Sequence, residues 1–446
     1  MIVHVSDTSL HPQPVPTTAT GYGEAVSTPR SEGGQEPADR PAGSPPRWLA
    51  PALGIAAALG ALIFLLTKVR LENGFFDLKV YRSAVRWWAD GNPLYDYSQP
   101  DPWQEKLGFT YPPVGAFLLR PLAYLSESAT IAASVVLSVV CTALAVWWLT
   151  GPVARRHGWS RPFLFAVALP VTAGVGAVWI GFDFGQINPL LWALVVFDLA
   201  VLAPRRSRFL GVGIGLATAI KLVPGLFIVY LLISRRIRGA IVAGGTAAAV
   251  TLAAHLAAPS DSLRYWSTTV WGGDGVGHLW FFTNQSISGV LARLYQPDPY
   301  PTWLWGALCL PVLAYGLWRA RLAALNGDEL TGMALTGFVA SLVSPVTWVH
   351  HIFWWVPALL AIVDTALAGN PSSVRSGLRN PWALGFVALL TYPIVAISAA
   401  SHTGTGLVRL ILSNWLVWLM LLLLVTLPAD ADRGRARKDA LLTPSA

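Results

Sequence analysis

The sequence predicts an all-α polytopic membrane protein with about 12 transmembrane helices. Of its 446 residues, 54% are hydrophobic and only 12% are charged, whereas a soluble domain carries about 25% charged residues. Apolar runs close to the ~20 residues that a membrane-spanning helix needs recur along the chain. Short basic clusters follow several of these runs, which is typical of cytoplasmic loops.

The apolar runs predict the spans, and the basic clusters predict their direction. The runs lie at 48–67, 128–149, 162–180, 186–203, 209–233, 239–258, 302–318, 331–346, 350–368, 382–399 and 409–427. The basic residues that follow or separate them are Arg155, Arg156, Arg161, Arg205, Arg206, Arg208, Arg235, Arg236, Arg238, Arg319, Arg321, Arg375, Arg379, Arg433, Arg435, Arg437 and Lys438. Placing all of them inside gives one consistent threading with both termini in the cytoplasm.

This threading requires that 209–233 enter and leave the membrane on the same side, because basic clusters flank both of its ends. Its middle contains Lys221, Pro224 and Gly225, and Pro and Gly favour a break between two short helices. The sequence therefore predicts a hairpin with Lys221 at its outer tip. The alternative is one tilted helix whose lysine extends to the interface, which would invert every later loop.

The same threading divides the chain into a tail, a membrane domain and a second tail. Residues 1–47 are rich in Pro, Thr, Ser and Gly and predict a disordered cytoplasmic tail. The membrane domain spans 48–428, its first span acting as an uncleaved anchor, and 429–446 form a basic cytoplasmic tail. The long outer loops are 68–127, with an amphipathic helix near 78–90 and a Pro-broken dip near 110–125, and 259–301. The shorter outer segments are 181–185, the tip around Lys221, 347–349 and 400–408.

Composition and motifs exclude several functions. The net charge of +8 reflects the basic loops and therefore topology, not nucleic-acid binding. Cys141 and Cys309 both lie inside apolar runs, so neither a disulfide framework nor a zinc site is expected. The chain has no phosphate-binding loop or dinucleotide fingerprint. Since no soluble domain is large enough to hold the chemistry, function must reside in the membrane and its outer loops.

Polar and ionisable side chains gather on the predicted outer side, where one outward-facing cavity would explain them. They are Asp77, Lys79, Arg82, Asp183, Gln186, Asn188, Lys221, His278, Asn284, Gln285, Arg293, His350, His351, His402 and Arg409. A substrate that reaches this face has no cytosolic nucleotide and must be carried on a lipid. A lipid phosphate is recognised by Arg, Lys or His, and these residue types are present there.

Several of these residues have simpler explanations. Asp77 could cap the helix that follows it, and Lys221 could extend to the membrane interface. The polar residues from Asp183 to Asn188 could hydrogen-bond a tight turn between helices. His350 and His351 could suggest a metal pair, but adjacent residues on a helix diverge by about 100° and cannot easily chelate one ion.

The motifs together resemble glycosyltransferase family 87, a GT-C group of membrane mannosyltransferases, and in particular its actinobacterial PimE-type branch. In family order they are Asp77-Leu-Lys-Val-Tyr81 with Gly91-Asn-Pro-Leu-Tyr95, Tyr111-Pro-Pro113 with Arg120-Pro121, Gly185-Gln-Ile-Asn188, Ala219-Ile-Lys221-Leu-Val-Pro224, Asn284-Gln-Ser-Ile-Ser-Gly289 and Ser344-Pro-Val-Thr-Trp-Val-His-His351. The similarity extends from about residue 50 to 430.

The resemblance implies an α-1,2-mannosyltransferase of the cell membrane, with its active site on the outer face. Its partners would be a polyprenyl-phosphate-mannose donor, a phosphatidylinositol mannoside acceptor and membrane lipids, without nucleic acid. A lipomannan-branching mannosyltransferase shares these motifs and stays open. A lipid or sugar transporter is the alternative from another class, although its ionisable residues would lie near the bilayer midplane.

The family motif implies that Asp77 is the catalytic carboxylate. Our hypothesis is that Lys221, His350 and His351 hold the donor phosphate or sugar, with Arg82 and Arg293 in reserve. The acceptor or pocket residues are then Tyr81, Asp183, Gln186, Asn188, Asn284 and Gln285. No cofactor or metal is expected, because cationic side chains can hold a phosphodiester leaving group.

Overall fold

The computed structural model describes residues 74–101, 104–272, 275–367 and 406–428. The predicted spans 48–67 and 382–399 and the predicted tails 1–47 and 429–446 lie outside these residues. The two spans and the two tails therefore stay predictions.

The segment predicted as the first outer loop contains α1 (Phe76–Ala89), a short antiparallel hairpin of β1 (Ser98–Asp101) and β2 (Glu105–Gly108), and α2 (Pro113–Leu119). Ser98 pairs with Gly108, and Asp101 pairs with Glu105. The hairpin corrects the all-α prediction, because Pro-interrupted polar sequence cannot form a helix here. The helix predicted near 78–90 is present as α1, and the segment near 110–125 is broken into α2 and a 3-10 turn, Arg120–Tyr124.

Most of the remaining described residues are helical. The helices are α3 (Glu127–Arg156), α4 (Arg161–Gly174), α5 (Gly176–Asp183), α6 (Asn188–Val196), α7 (Val212–Ile220), α8 (Leu226–Ile233), α9 (Ile237–Ala257), α10 (Pro259–Arg264), α11 (Val270–Gly272), α12 (Ile287–Tyr295), α13 (Thr302–Leu325), α14 (Glu329–Val343), α15 (Trp355–Leu367), α16 (Gly406–Ser413) and α17 (Trp415–Thr426). A π-helical stretch, Phe197–Leu202, continues α6.

Within the described ranges, three helices (α3, α9 and α13) are long and apolar enough to cross a membrane. The number rises to five if the bent pairs α4–α5 and α16–α17 each count as one span, with bends of 67° and 66°. Shorter apolar helices, including α14 and α15, accompany them. The chain is therefore a helical protein with membrane-spanning capacity, and the total of about 12 passes stays a prediction.

The chain reverses direction at Lys221. Helices α7 and α9 run side by side in the same direction, with Gly211 against Gly239 and Gly215 against Ala243. Because α8 connects the end of α7 to the start of α9, it must run back past α7. Lys221 is the point of departure, with extended backbone at φ −151° and ψ 128°. The predicted reversal is present, and it leaves the lysine at the tip.

Ion pairs and the polar cluster occupy opposite ends of the same helices. Arg236, which precedes α9, pairs with Glu329 at the start of α14 at 2.5 Å. Arg156, at the end of α3, pairs with buried Asp364 near the end of α15. The other ends of α14 and α15 flank the segment that carries His350 and His351. The basic loops and the candidate site are thus separated by the length of these helices.

Candidate functional site

The first turn of α1 docks on the turn that ends α5. The Phe75 amide donates to the Asp183 carbonyl at 2.8 Å, and the Leu78 amide donates to the Phe184 carbonyl at 3.1 Å. Gly185 has φ +67°, and a Cβ on it would lie 2.6 Å from the Leu78 Cβ. Only glycine allows both this backbone conformation and so close an approach. These contacts place Asp77 beside the residues that follow α5.

Asp77 meets Gln186 and His350 in this region. Gln186 Nε2 donates to Asp77 Oδ2 and lies 3.2 Å from His350 Nε2. Asp77 Oδ2 itself lies 3.6 Å from His350 Nε2. The Asp77 side chain is 19% exposed and that of His350 is 7% exposed. The three side chains, from three separate sequence motifs, therefore form one nearly dry cluster with access from Asp77.

Asn188 and Lys221 extend this cluster. Asn188 Nδ2 donates to Gln186 Oε1 at 3.1 Å, and Lys221 Nζ donates to Asn188 Oδ1 at 3.1 Å. Lys221 Nζ also lies 3.1 Å from His351 Nε2. These bonds use two of the three ammonium donors of the lysine. The predicted donor-binding residues and the predicted base thus belong to one hydrogen-bonded network.

Two tyrosines close the other side of the cluster. The hydroxyls of Tyr81 and Tyr111 lie 2.8 Å apart, and the Tyr111 hydroxyl donates to Gln186 Oε1 at 3.3 Å. Lys221 Nζ lies 5.1 Å from the centre of the Tyr111 ring, in a cation–π contact. Tyr111 was not predicted as a site residue, although its Tyr-Pro-Pro motif contributed to the family resemblance.

Burial alters the acidity of Asp77. Loss of hydration raises the pKa of this carboxyl from 3.8 to about 7, while the hydrogen bond from Gln186 and the charge of Lys221 act in the opposite direction. A carboxylate with this pKa is poised to exchange a proton near neutral pH. The cluster therefore supplies a base and a nearby cation.

The structure does not bring Arg82 or Arg293 into this network. Arg82 donates to the Leu125 carbonyl at 3.2 and 2.8 Å, which attaches α1 to the turn before α3. Arg293 donates to the Phe281 and Asn284 carbonyls, both at 2.9 Å, and to Asn414. In the described chain, both arginines therefore organise loops.

Asn284 and Gln285 position the histidine segment. Asn284 Oδ1 accepts from the Thr347 amide at 2.9 Å, and the Gln285 amide donates to the Thr347 carbonyl at 2.7 Å. The Gln285 side chain also donates to the Ser413 carbonyl at 2.8 Å. Asp183 is buried at the end of α5, where its carbonyl receives α1. These residues therefore position the segments that carry the network.

Asp77 does not act as a helix cap, and the two histidines face different partners. The N-cap of α1 is Phe75, without a side-chain cap, so Asp77 does not cap this helix. The rings of His350 and His351 are inclined by 81°, and they contact different partners, Gln186 and Lys221. No group of three or more His, Cys, Asp or Glu residues able to hold a metal occurs in the part of the chain that the structure describes.

An apolar groove of about 410 Å³ lies beside the reversal at Lys221. Its walls come from α7, from α9 and from Leu222, which directly follows the lysine. The lining residues are Thr218, Ala219, Leu222, Ala247, Ala248, Thr251, Leu252, His255 and Trp266. A separate cavity of about 40 Å³ is lined in part by Asn188, Lys221 and His351. It can hold water molecules but not a sugar.

Comparison with known proteins identifies the family. The model of glycosyltransferase family 87 matches residues 109–345, just over half of the chain, including Gln186 and Lys221 but not Asp77 or His350. No solved structure matches the chain at a significant level.

Curated relatives match over a longer part of the chain. A polyprenol-phosphate-mannose-dependent α-(1-2)-phosphatidylinositol mannoside mannosyltransferase of Mycolicibacterium smegmatis is 35% identical over 77% of this chain and 81% of its own length. The Mycobacterium tuberculosis protein of the same description is 34% identical, over 64% and 69%. A pentamannoside mannosyltransferase of M. smegmatis is 27% identical, over 80% and 85%. The chain is a glycosyltransferase and belongs to glycosyltransferase family 87.

Proposed function

We propose that this enzyme transfers mannose from polyprenyl-phosphate-mannose to the 2-hydroxyl of a phosphatidylinositol mannoside, forming an α-1,2 linkage with inversion. The relatives in the preceding comparison are described by this donor and this class of acceptor. The observation that carries the proposal is the network in which a half-buried carboxylate, Asp77, is joined through Gln186 and Asn188 to the Lys221 ammonium.

The acceptor follows from the pattern of identities. The relatives at 35% and 34% identity are described as acting on phosphatidylinositol mannosides, whereas two relatives at 31% and 27% are described as acting on a phosphatidylinositol pentamannoside. We therefore propose a phosphatidylinositol mannoside acceptor without restricting it to the pentamannoside. A phosphatidylinositol mannoside is also the acceptor that the resemblance of the sequence motifs implies.

The proposed reaction is a single displacement. The acceptor oxygen attacks the anomeric carbon of β-linked mannose and forms the new glycosidic bond, while Asp77 takes the hydroxyl proton. The bond between the anomeric carbon and the phosphate oxygen breaks, and polyprenyl phosphate leaves with the electron pair. Lys221 neutralises the charge that develops on this phosphate. A positioned base contributes about 10²–10⁴-fold to such a rate.

The apolar groove supports a lipid-linked donor. Leu222 belongs to its lining, so a phosphate at Lys221 would place the attached hydrocarbon next to the groove. Apolar walls from α7 and α9 favour a polyprenyl chain over a soluble nucleotide sugar. We propose that the chain lies there while the sugar faces Asp77, outside the cavity of about 40 Å³.

The proposed orientation places the network on the extracytoplasmic face of the cell membrane. The ion-paired basic loops lie at the opposite ends of α14 and α15, and basic loops favour the cytoplasm. We retain the proposal of about 12 passes with both termini inside. We also propose that catalysis needs no metal, since Lys221 supplies the positive charge; turnover should therefore persist in EDTA.

Purified protein in lipid vesicles, given polyprenyl-phosphate-mannose and phosphatidylinositol mannosides with different numbers of mannoses, tests this function. The expected product carries one additional mannose in α-1,2 linkage, determined by linkage analysis. Movement of donor or acceptor across the vesicle without a new glycosidic bond would instead indicate a transporter. A product formed only from a lipomannan acceptor would overturn the proposed acceptor.

A further inference from the structure

We propose that Asn188 and Gln186 form a directional amide relay that joins the Lys221 ammonium to the Asp77 carboxylate and holds that carboxylate in its working orientation. Both amides are positioning residues, and the inference rests on the role of Asp77 proposed above. The relay comprises three consecutive hydrogen bonds, from Lys221 to Asn188, from Asn188 to Gln186 and from Gln186 to Asp77.

The orientation of the Asn188 amide is determined by neighbours of known polarity. An ammonium group can only donate, so the Asn188 atom 3.1 Å from Lys221 Nζ must be the oxygen. A backbone carbonyl can only accept, so the atom 3.0 Å from the His350 carbonyl must be the nitrogen. Both neighbours therefore select the same orientation of the amide.

The orientation of Gln186 follows from that of Asn188. Because Asn188 Nδ2 donates at 3.1 Å, the Gln186 atom that faces it must be the oxygen. The Tyr111 hydroxyl donates to this same oxygen at 3.3 Å. Gln186 must therefore present its nitrogen to Asp77 Oδ2 and to His350 Nε2, and both of these atoms can accept.

All three bonds thus point the same way, from the cation to the anion. Aligned hydrogen bonds polarise one another, and the effect is larger in a site shielded from water. Gln186 is 4% exposed and Asn188 is 7% exposed. The relay directs Asp77 Oδ2 toward Gln186, and within the described residues Asp77 Oδ1 has no hydrogen-bond partner. That oxygen is left for the hydroxyl of an acceptor.

The relay should also affect the proton affinity of Asp77. The titratable groups that face this carboxyl are Tyr81 on α1, Tyr111 before α2, Lys221 after α7 and His350 before α15. The hydrogen bond from Gln186 and the charge of Lys221 both lower the pKa of Asp77, against the larger effect of burial. A broken relay should therefore raise this pKa.

Infrared titration of the purified full-length protein, without substrates, tests the relay directly. The carbonyl band of protonated Asp77 is identified by its absence from Asp77→Asn. We expect Asn188→Leu to move the midpoint upward by about one pH unit, a tenfold change in proton affinity. Tyr111→Phe, which removes one donor to Gln186, should move the midpoint in the same direction by less.

Tyr95→Phe is the matched control, since the Tyr95 hydroxyl donates to the Tyr111 carbonyl at 2.8 Å and not to the relay.

Unchanged midpoints in both Asn188→Leu and Tyr111→Phe would overturn the relay. If Asn188→Leu does not fold, Tyr111→Phe decides, because it keeps the ring and its contact with Lys221. No turnover enters this measurement, so a shifted midpoint in a protein that transfers no mannose would reject the proposed function alone. In active protein, Tyr111→Phe should lower kcat about tenfold at an unchanged KM for the donor. A purely structural defect would instead lower the fraction of folded enzyme and leave kcat per folded molecule unchanged.

Discussion

Asp77 Oδ2 and His350 Nε2 lie 3.6 Å apart, although one residue lies in the first turn of α1 and the other follows α14. Gln186 donates toward both atoms, so His350 Nε2 acts as an acceptor and carries no proton in this arrangement. The lone pair of this nitrogen is thus used by Gln186. His350 therefore helps to hold the Gln186 amide in the orientation that directs its other N–H to Asp77 Oδ2.

Asp77→Asn should abolish most of the activity without loss of the fold. Asparagine has nearly the same shape but cannot accept the proton of the acceptor hydroxyl, so we expect kcat to fall about 10²–10⁴-fold. Mannosyl transfer is measured together with thermal unfolding. Asp90→Asn is the control, because Asp90 is an exposed residue at the other end of α1. Normal turnover by folded Asp77→Asn would remove Asp77 from its role.

The pH dependence of kcat/KM should follow ionisation of Asp77. Its pKa is raised to about 7 by burial, and a general base acts only when it is unprotonated. Below this value, kcat/KM should fall about tenfold for each pH unit. A steady-state series from pH 5 to pH 8 on the folded enzyme measures this. A profile that is flat below pH 7 would show that the reaction does not depend on the carboxylate.

The same shift should appear in the stability of the protein. A group whose pKa is higher in the folded state than in the unfolded state stabilises the fold below its unfolded pKa, and this contribution is lost as pH rises through its folded pKa. For Asp77 the window extends from 3.8 to about 7. Asp77→Asn should therefore gain Tm relative to the wild type as pH rises from 5 to 8.5. A constant difference across this series would contradict the shift.

Lys221→Met should impair use of the donor. The variant keeps a long side chain but removes the charge that we assign to the leaving phosphate, and loss of one such stabilising group costs about 10²–10³-fold in kcat. Lys79→Met is the control, because Lys79 forms an exposed ion pair with Glu127 at 3.3 Å. Transfer from polyprenyl-phosphate-mannose is measured for both variants. Equal losses of transfer in the two variants would show that the loss comes from the change in net charge and not from a specific role of Lys221.

The sequence predicted much of the architecture, because apolar runs and basic clusters report directly on helices and their ends. Pro224, together with basic residues on both sides of 209–233, was enough to predict the reversal at Lys221. The β1–β2 hairpin was missed, since four-residue strands with Pro and charged residues have no strong alternating pattern. The number of passes stays a prediction, because several apolar helices are shorter than a complete span.

The candidate site was predicted as a set of residue types but not as an arrangement. Polarity in an apolar chain singled out Asp77, Gln186 and Lys221, and the structure joins them. The same reasoning also selected Arg293, whose donors are used by loop carbonyls. Composition does not reveal which acceptors surround a buried guanidinium. Tyr111 was overlooked because tyrosine is common near membrane interfaces, and only its contact with Gln186 distinguishes it.

Gly185→Ala should lower activity although it changes no polar side chain. The new Cβ would lie 2.6 Å from the Leu78 Cβ, and φ at this residue is +67°. Either α1 moves away from α5 or the turn distorts, and both outcomes separate Asp77 from Gln186. A displacement of a catalytic group by about 1 Å lowers the reaction rate about 10²-fold. Gly158→Ala separates strain from contact, because φ is +65° there and no atom lies within 4 Å of the new Cβ. Both variants should lose some Tm, since both carry alanine in a left-handed conformation. Only Gly185→Ala should lose mannosyl transfer when activity is expressed per amount of folded protein. Equal specific activities of the two variants would show that the docking of α1 on α5 does not position Asp77.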